Sequence, residues 1–222
     1  MNCCSTSSGG ISRHFSRKSE AYARGVRKGK LEPIQKLLIA GAERIGVQNR
    51  RLLDVGCGAG ALHLELLRRG ATSAVGVDLS PDMISQAAGI AEARGLIDRV
   101  SYRVGDAVVL RDELGPADIT MMDKVVCCYG DLPALIAVAT ECSGEGLVLS
   151  YPRNNWLVRT SFRLEQSWAR FRNDDFVPFW HDWEWMKREI ELCGFRLLGE
   201  TNTLMWTAAV FKRNSATGRS SS

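Results

Sequence analysis

Leu52-Leu53-Asp54-Val55-Gly56-Cys57-Gly58-Ala59-Gly60 decides how the rest of the chain is read. Leu52, Leu53 and Val55 suit a strand buried in the middle of a sheet. Gly56, Gly58 and Gly60 follow at alternate positions, where the missing Cβ lets the backbone turn sharply and a ligand lie against bare peptide. A helix is expected from Ala61, its first turn presenting unpaired N–H groups and the positive end of its dipole. Strand, glycine loop and helix together predict a site for a polar ligand.

The identity of that ligand turns on Asp54. Dinucleotide sites hold pyrophosphate on a G-x-G-x-x-G/A turn. Here the loop reads G-C-G-A-G with an acid two residues before its first glycine. A carboxylate there repels phosphate and suits an amine or sulfonium. At these residues the sequence resembles the class I S-adenosylmethionine-dependent methyltransferases, whose first motif is D/E-x-G-x-G-x-G. A Rossmann dehydrogenase is the alternative that the loop alone leaves open.

Outward from the loop the chain alternates. Strands are expected over 51–55, 74–77, 100–104, 118–122 and 146–150, with helices over 61–69, 83–94 and 132–142. Ser80 is a natural N-cap with Pro81 at the first helical position. Alternating strands and helices with short links predict a parallel sheet covered on both faces. Ligands of such sheets bind beyond the carboxyl ends of the strands. Asp54, Asp78, Asp106, Asp123 and Tyr151 all fall there.

Upstream, residues 11–30 are basic and read as one helix with Phe15, Ser19, Tyr22 and Val26 on a single face, followed by a helix from Pro33 to about Ile45. Downstream, a helix over 155–172 carries Trp156, Phe162, Trp168 and Phe171 and runs into an aromatic segment. A helix over 183–193 and an antiparallel strand pair over 195–200 and 205–211 close the core. The resemblance implies an α/β fold: a Rossmann-like seven-stranded methyltransferase sheet with helices on both faces, N-terminal lid helices and a helical insertion after strand five. Residues 1–222 read as one methyltransferase domain. Segments 1–10 and 213–222 are expected to be disordered, 11–46 to form the N-terminal helices and 153–181 to cap the substrate.

The cofactor expected from the resemblance is S-adenosyl-L-methionine, leaving as S-adenosyl-L-homocysteine. Asp78, eighteen residues beyond Gly60, can accept both ribose hydroxyls of an adenosine, and Leu79 or Met83 can supply apolar contact to adenine. Gly105-Asp106-Ala107 matches the family's G-D-A element, which implies that Asp106 accepts from the adenine amine and the next N–H donates to a ring nitrogen. Asp54, Gly56, Cys57, Gly58, Gly60 and Asp123 complete the expected cofactor set.

Methyl transfer is an in-line displacement, so alignment and desolvation supply much of the rate, and a base is needed only where the acceptor must lose a proton. Asp123, His14, Tyr129 and His181 are the candidate bases. Tyr22, Lys124, Cys128, Tyr151 and Arg153 are candidates for acceptor contacts, with Lys124 and Arg153 suited to an anion. His63 reads as structural. The segment Asp123-Lys124-Val125-Val126-Cys127-Cys128-Tyr129 is not the Asn/Asp-Pro-Pro-Tyr/Phe motif of amino-nitrogen methylation. The aromatic insertion favours an aromatic or apolar small molecule methylated on a hydroxyl or carboxylate oxygen. The alternatives are a magnesium-protoporphyrin-type carboxylate methyltransferase, to which the chain bears some likeness although Gly130 departs from the proline of many relatives, and an RNA or other nucleic-acid methyltransferase.

Composition sets the outer bounds. At 222 residues and 45% hydrophobic content the chain can bury a full core. A net charge of +4, scattered rather than striped, does not argue for nucleic acid. The seven cysteines include no C-x-x-C pair and suit a reducing compartment. Cys3-Cys4 has no companion ligand at a metal-binding spacing, so no metal is expected. No apolar run approaches a membrane span. A cytoplasmic monomer or homodimer is expected.

Overall fold

The structure is a computed structural model that describes residues 8–172, 174 and 176–214. Cys3-Cys4 and residues 215–222 lie outside the described residues, whereas Arg213, the first residue of the segment expected to be disordered, ends the last strand. The chain forms α1 (Ser8–Ser16), α2 (Ser19–Arg27), α3 (Pro33–Ile45), β1 (Arg51–Val55), α4 (Ala61–Arg68), β2 (Ser73–Asp78), α5 (Pro81–Ala93), β3 (Val100–Val104), α6 (Arg111–Leu114), β4 (Ala117–Met122), α7 (Leu132–Cys142) and β5 (Ser143–Pro152). Then follow α8 (Trp156–Phe171), α9 (Trp183–Leu192), β6 (Phe195–Asn202) and β7 (Trp206–Arg213).

The seven strands form one sheet in the order β3-β2-β1-β4-β5-β7-β6. Its first five strands are parallel, and β7 runs antiparallel to both β5 and β6. β1 lies between β2 and β4, with Asp54 in register with Gly76 of β2 and Met121 of β4. Successive strand residues point to opposite faces. Leu52 therefore joins the core layer of α3 and α4, whereas Leu53 joins that of α7 and α9. This alternation, repeated in β4 and β5, gives the sheet its two apolar layers.

The N-terminal region departs from expectation. Residues 11–30 form two helices, and the first begins at Ser8, inside the segment expected to lack structure. The Lys18 N–H bonds to the Phe15 carbonyl at 3.0 Å, the tight turn that closes α1. The break lets each half seat separately on α5: Ser16 Oγ meets Ser80 Oγ at 2.8 Å, and Ala23 of α2 is fully buried. α3 opens with a reciprocal capping box between Glu32 and Gln35.

The insertion forms as a long helix, α8, capped by Asn155, whose side chain accepts from Val158 N at 2.9 Å. Only Val158, Phe162 and Ala169 of α8 are buried, and Trp156 and Trp168 are exposed. Among the described residues no helix is long and apolar enough to cross a membrane.

Candidate functional site

β1 delivers the glycine loop to the carboxyl edge of the sheet. The N–H groups of Gly56 and Cys57 both bond to the Val77 carbonyl, at 2.8 and 3.0 Å, folding the loop back over β2. Gly56 has φ +65°, and a Cβ there would stand 2.5 Å from Val125 Cγ2. Glycine is required at this position on both counts.

Asp78 terminates β2 beneath the loop. Its Oδ2 accepts from Gly58 N at 2.9 Å and its Oδ1 from Ser80 N at 2.8 Å. Burial raises its pKa, and the two N–H donors oppose that shift. Each carboxylate oxygen keeps a second lone pair for a ligand hydroxyl. Ser80, not Asp78, caps α5, accepting from Met83 N at 3.2 Å.

Asp54 is buried and paired. His63 Nδ1 lies 2.8 Å from Asp54 Oδ2, and His63 Nε2 lies 3.0 Å from the Tyr102 hydroxyl. His63 is fully buried. The expected acid of the loop is thus fixed from behind by an imidazole and a phenol.

At the end of β3, the Asp106 carboxylate receives the Tyr129 hydroxyl at 2.9 Å from both of its oxygens, and its Oδ1 also accepts from Val108 N at 2.9 Å. Burial, followed by this bond, drives the Tyr129 phenol well above its ordinary pKa. Tyr129 is therefore held protonated as a donor, which corrects its expected role as a base.

At the end of β4, Asp123 Oδ1 accepts from Ser150 Oγ at 2.8 Å and Oδ2 from Gln35 Nε2 at 3.2 Å. Burial raises its pKa. Lys124 takes the left-handed conformation at φ +60°, and its N–H bonds to Ser150 Oγ at 2.7 Å. Its ammonium pairs with Glu32 and lies 5.5 Å from the centre of the Trp206 ring. Burial works against that charge, but Asp123 and Glu32 outweigh it and raise the Lys124 pKa. Gln35, Ser150, Glu32 and Trp206 were not singled out from sequence.

These groups surround one cavity of about 360 Å³. Asp54, Gly56, Cys57, Gly58, Asp78, Leu79, Met83, Gly105, Asp106, Ala107 and Asp123 line it, as expected of the cofactor set, while Gly60 sits behind as the N-cap of α4. The same cavity is walled by Ile11, His14, Phe15 and Tyr22 of the N-terminal helices, Phe162 and Glu165 of α8, Phe176, Met205 and Trp206. Lys124 and Cys128 also reach it.

Besides Gly60, three expected site residues do not reach it. His181 directs Nε2 to the Tyr129 carbonyl at 2.9 Å, and burial lowers its pKa. Tyr151 points to the other side of the sheet, where it stacks on Trp183 at 5.3 Å and bonds to Glu200. Arg153 lies beyond the end of β5, outside the cavity lining, with its N–H on the Met205 carbonyl at 2.9 Å. Of the insertion aromatics, Phe162 and Phe176 line the cavity. Phe179 stacks on His181 at 5.7 Å and Trp180 packs edge-on to Phe162 at 5.5 Å. Cys127 and Cys57 are buried, with thiol pKa values well above the ordinary range: the hydrogen bond shared with Cys128 and burial raise that of Cys127, and burial raises that of Cys57. Neither is suited to act as a nucleophile.

Residues 52–144 match a protein family described as a methyltransferase domain. Norajmaline N-methyltransferase of Rauvolfia serpentina is 30% identical over 109 residues, covering 48% of this chain and 37% of its own length. The ribosomal protein L11 methyltransferase of Colwellia psychrerythraea is 23% identical over 146 residues, covering 62% of this chain and 49% of its own. The chain thus spans less than half the length of these relatives. Among solved structures, magnesium protoporphyrin IX methyltransferase from Synechocystis with bound S-adenosylmethionine superposes with a TM-score of 0.68 at 16% identity, covering 96% of this chain and all of that one. An O-methyltransferase family protein from Burkholderia thailandensis gives a TM-score of 0.71 at 19% identity, covering 93% of this chain and 62% of that one. The loop, the sheet order and the domain match agree: residues 52–144 match a methyltransferase domain, and the chain has the fold of the S-adenosylmethionine-bound structure it superposes on.

Proposed function

We propose that this protein transfers a methyl group from S-adenosylmethionine to a hydroxyl oxygen of a small aromatic or apolar molecule. One observation carries the reading: a single cavity joins the acids at the strand ends to an aromatic wall built by the N-terminal helices, α8 and the β6–β7 hairpin. The residues present fit the cofactor. Asp78 offers two oxygens to two ribose hydroxyls, Asp106 suits an adenine amine, Asp54 suits a cationic amine, and the bare backbone at Gly58 has open space above it. The sulfonium supplies an already activated methyl group.

The chain's own part is to orient the acceptor, exclude water and take a proton. Phe15, Tyr22, Phe162, Phe176, Met205 and Trp206 provide an apolar surface that sandwiches a flat acceptor and keeps water out. His14 is the one imidazole in the cavity lining among the described residues. Burial, then the Lys18 charge, lowers its pKa and keeps it neutral, the state a proton acceptor needs. Lys18 Nζ, an exposed group, donates to His14 Nε2 at 2.9 Å, and an acceptor hydroxyl can replace it there. A carboxylate acceptor is less suited, because Lys124 is already paired with Glu32 and Arg153 lies outside the cavity.

The test is transfer of labelled methyl from S-adenosylmethionine to a panel of phenols, aromatic carboxylic acids and RNA. The reading expects label on phenolic oxygens. Label confined to carboxylates or RNA overturns it.

A further inference from the structure

The cavity holds two adjacent thiols for which methyl transfer has no chemical use. In extended chain neighbouring side chains point to opposite sides. The turn after β4, closed by the Cys128 N–H on the Val125 carbonyl at 2.8 Å, instead brings Cys127 and Cys128 together. Both sulfurs reach the Lys124 carbonyl, Cys127 Sγ at 3.6 Å and Cys128 Sγ at 3.0 Å, and they lie 3.9 Å from each other. Cys127 is buried, Cys128 is half-buried, and both line the cavity. Cys142 and Cys193 lie outside that lining, and the Cys57 thiol is directed to the Gly58 carbonyl at 3.7 Å.

We propose that Cys127 and Cys128 are a reversible oxidation site, which hydrogen peroxide entering the cavity closes to a disulfide that weakens cofactor binding. Cys128 Sγ, the more exposed, attacks one peroxide oxygen. The O–O bond breaks, the thiol proton leaves with the departing oxygen as water, and a sulfenic acid remains on Cys128. Cys127 Sγ then attacks that sulfur, the S–OH bond breaks, and the hydroxyl takes the Cys127 proton to leave as a second water. The two thiols lose two electrons and the peroxide gains them. Burial makes Cys127 a poor nucleophile toward a partner in solution, but its target here is held beside it in the same turn. Adjacent Cα atoms stand about 3.8 Å apart, short of the usual disulfide span of about 4.4–6.8 Å, so the bond is strained and readily reduced. That suits a switch rather than a staple. Closing it draws the Cys128 sulfur off the Lys124 carbonyl and shifts the next residue, Tyr129, whose hydroxyl holds Asp106.

The test treats the full chain with hydrogen peroxide, digests it with trypsin under conditions that block free thiols, and weighs the peptide of residues 125–153, which holds Cys127, Cys128 and Cys142. That peptide should lose two hydrogens and two blockable thiols, and dithiothreitol should restore both. Cys142→Ser should still give the lighter peptide, and Cys128→Ser should not. By calorimetry the oxidised wild type should bind S-adenosylhomocysteine at least about threefold more weakly, as expected for loss of one hydrogen bond to Asp106, with recovery in dithiothreitol. Circular dichroism reports folding, and Cys128→Ala serves should Cys128→Ser not fold. The proposal is overturned if the wild-type peptide keeps its mass, if the disulfide forms with cofactor affinity unchanged, or if folded Cys128→Ser loses the same affinity on oxidation.

Discussion

Tyr129 gives its hydroxyl to Asp106, 2.9 Å from each carboxylate oxygen. The bond holds that acid in place before a ligand arrives, and it keeps the phenol protonated. Tyr129→Phe should weaken S-adenosylhomocysteine binding by about threefold to tenfold, the worth of one hydrogen bond. It should leave the pH dependence of methyl transfer unchanged. Calorimetry and a rate profile across pH check both halves; a loss of the basic or acidic limb would return Tyr129 to a catalytic role.

The buried chain from Asp54 through His63 to Tyr102 is a structural prop for the glycine loop. His63→Ala leaves a buried carboxylate without its partner and should cost about 3–5 kcal/mol of stability. Tyr102→Phe removes only the outer hydrogen bond and should cost about 1 kcal/mol. Urea unfolding of the two variants measures the ratio.

Two glycines of the loop should separate fold from binding. Gly56→Ala puts a Cβ 2.5 Å from Val125 at φ +65°, and should lower both thermal stability and cofactor affinity. Gly58 has φ +51° but open space where its Cβ would stand. Gly58→Ala should cost only the left-handed strain of about 1–2 kcal/mol. Thermal melts compare the pair.

If His14 takes the proton, methyl transfer must fall as pH drops through its pKa, which burial and the Lys18 charge place below 6.5. The neutral form is the active one, so the loss is on the acid side. Lys18→Met removes a nearby positive charge and should move that limb to higher pH, and His14→Gln should abolish it. Initial rates across pH read the sign directly.

The cofactor half of the site was legible in sequence because each of its parts is local: Asp54, Asp78 and Asp106 sit at or just beyond the carboxyl ends of their own strands. The acceptor half was less so. Gln35 reaches Asp123 across 88 residues, and Trp206 reaches Lys124 from the terminal hairpin, contacts that no short spacing records. Tyr151 was readable by strand parity. It shares its side of β5 with Leu147 and Leu149, which face α7 and α9, whereas Ser150 faces the other way and meets Asp123. The break between α1 and α2 had no Gly or Pro to announce it; packing of both halves on α5 accounts for it.

Calorimetric titration of wild type, Asp78→Ala and Asp106→Ala with S-adenosylhomocysteine tests the central claim most directly. The account predicts one-to-one binding by the wild type and a loss of at least about tenfold in each variant, consistent with removing acceptors that charge strengthens. Unchanged affinity in both variants, or binding of NAD in place of S-adenosylhomocysteine, would contradict it.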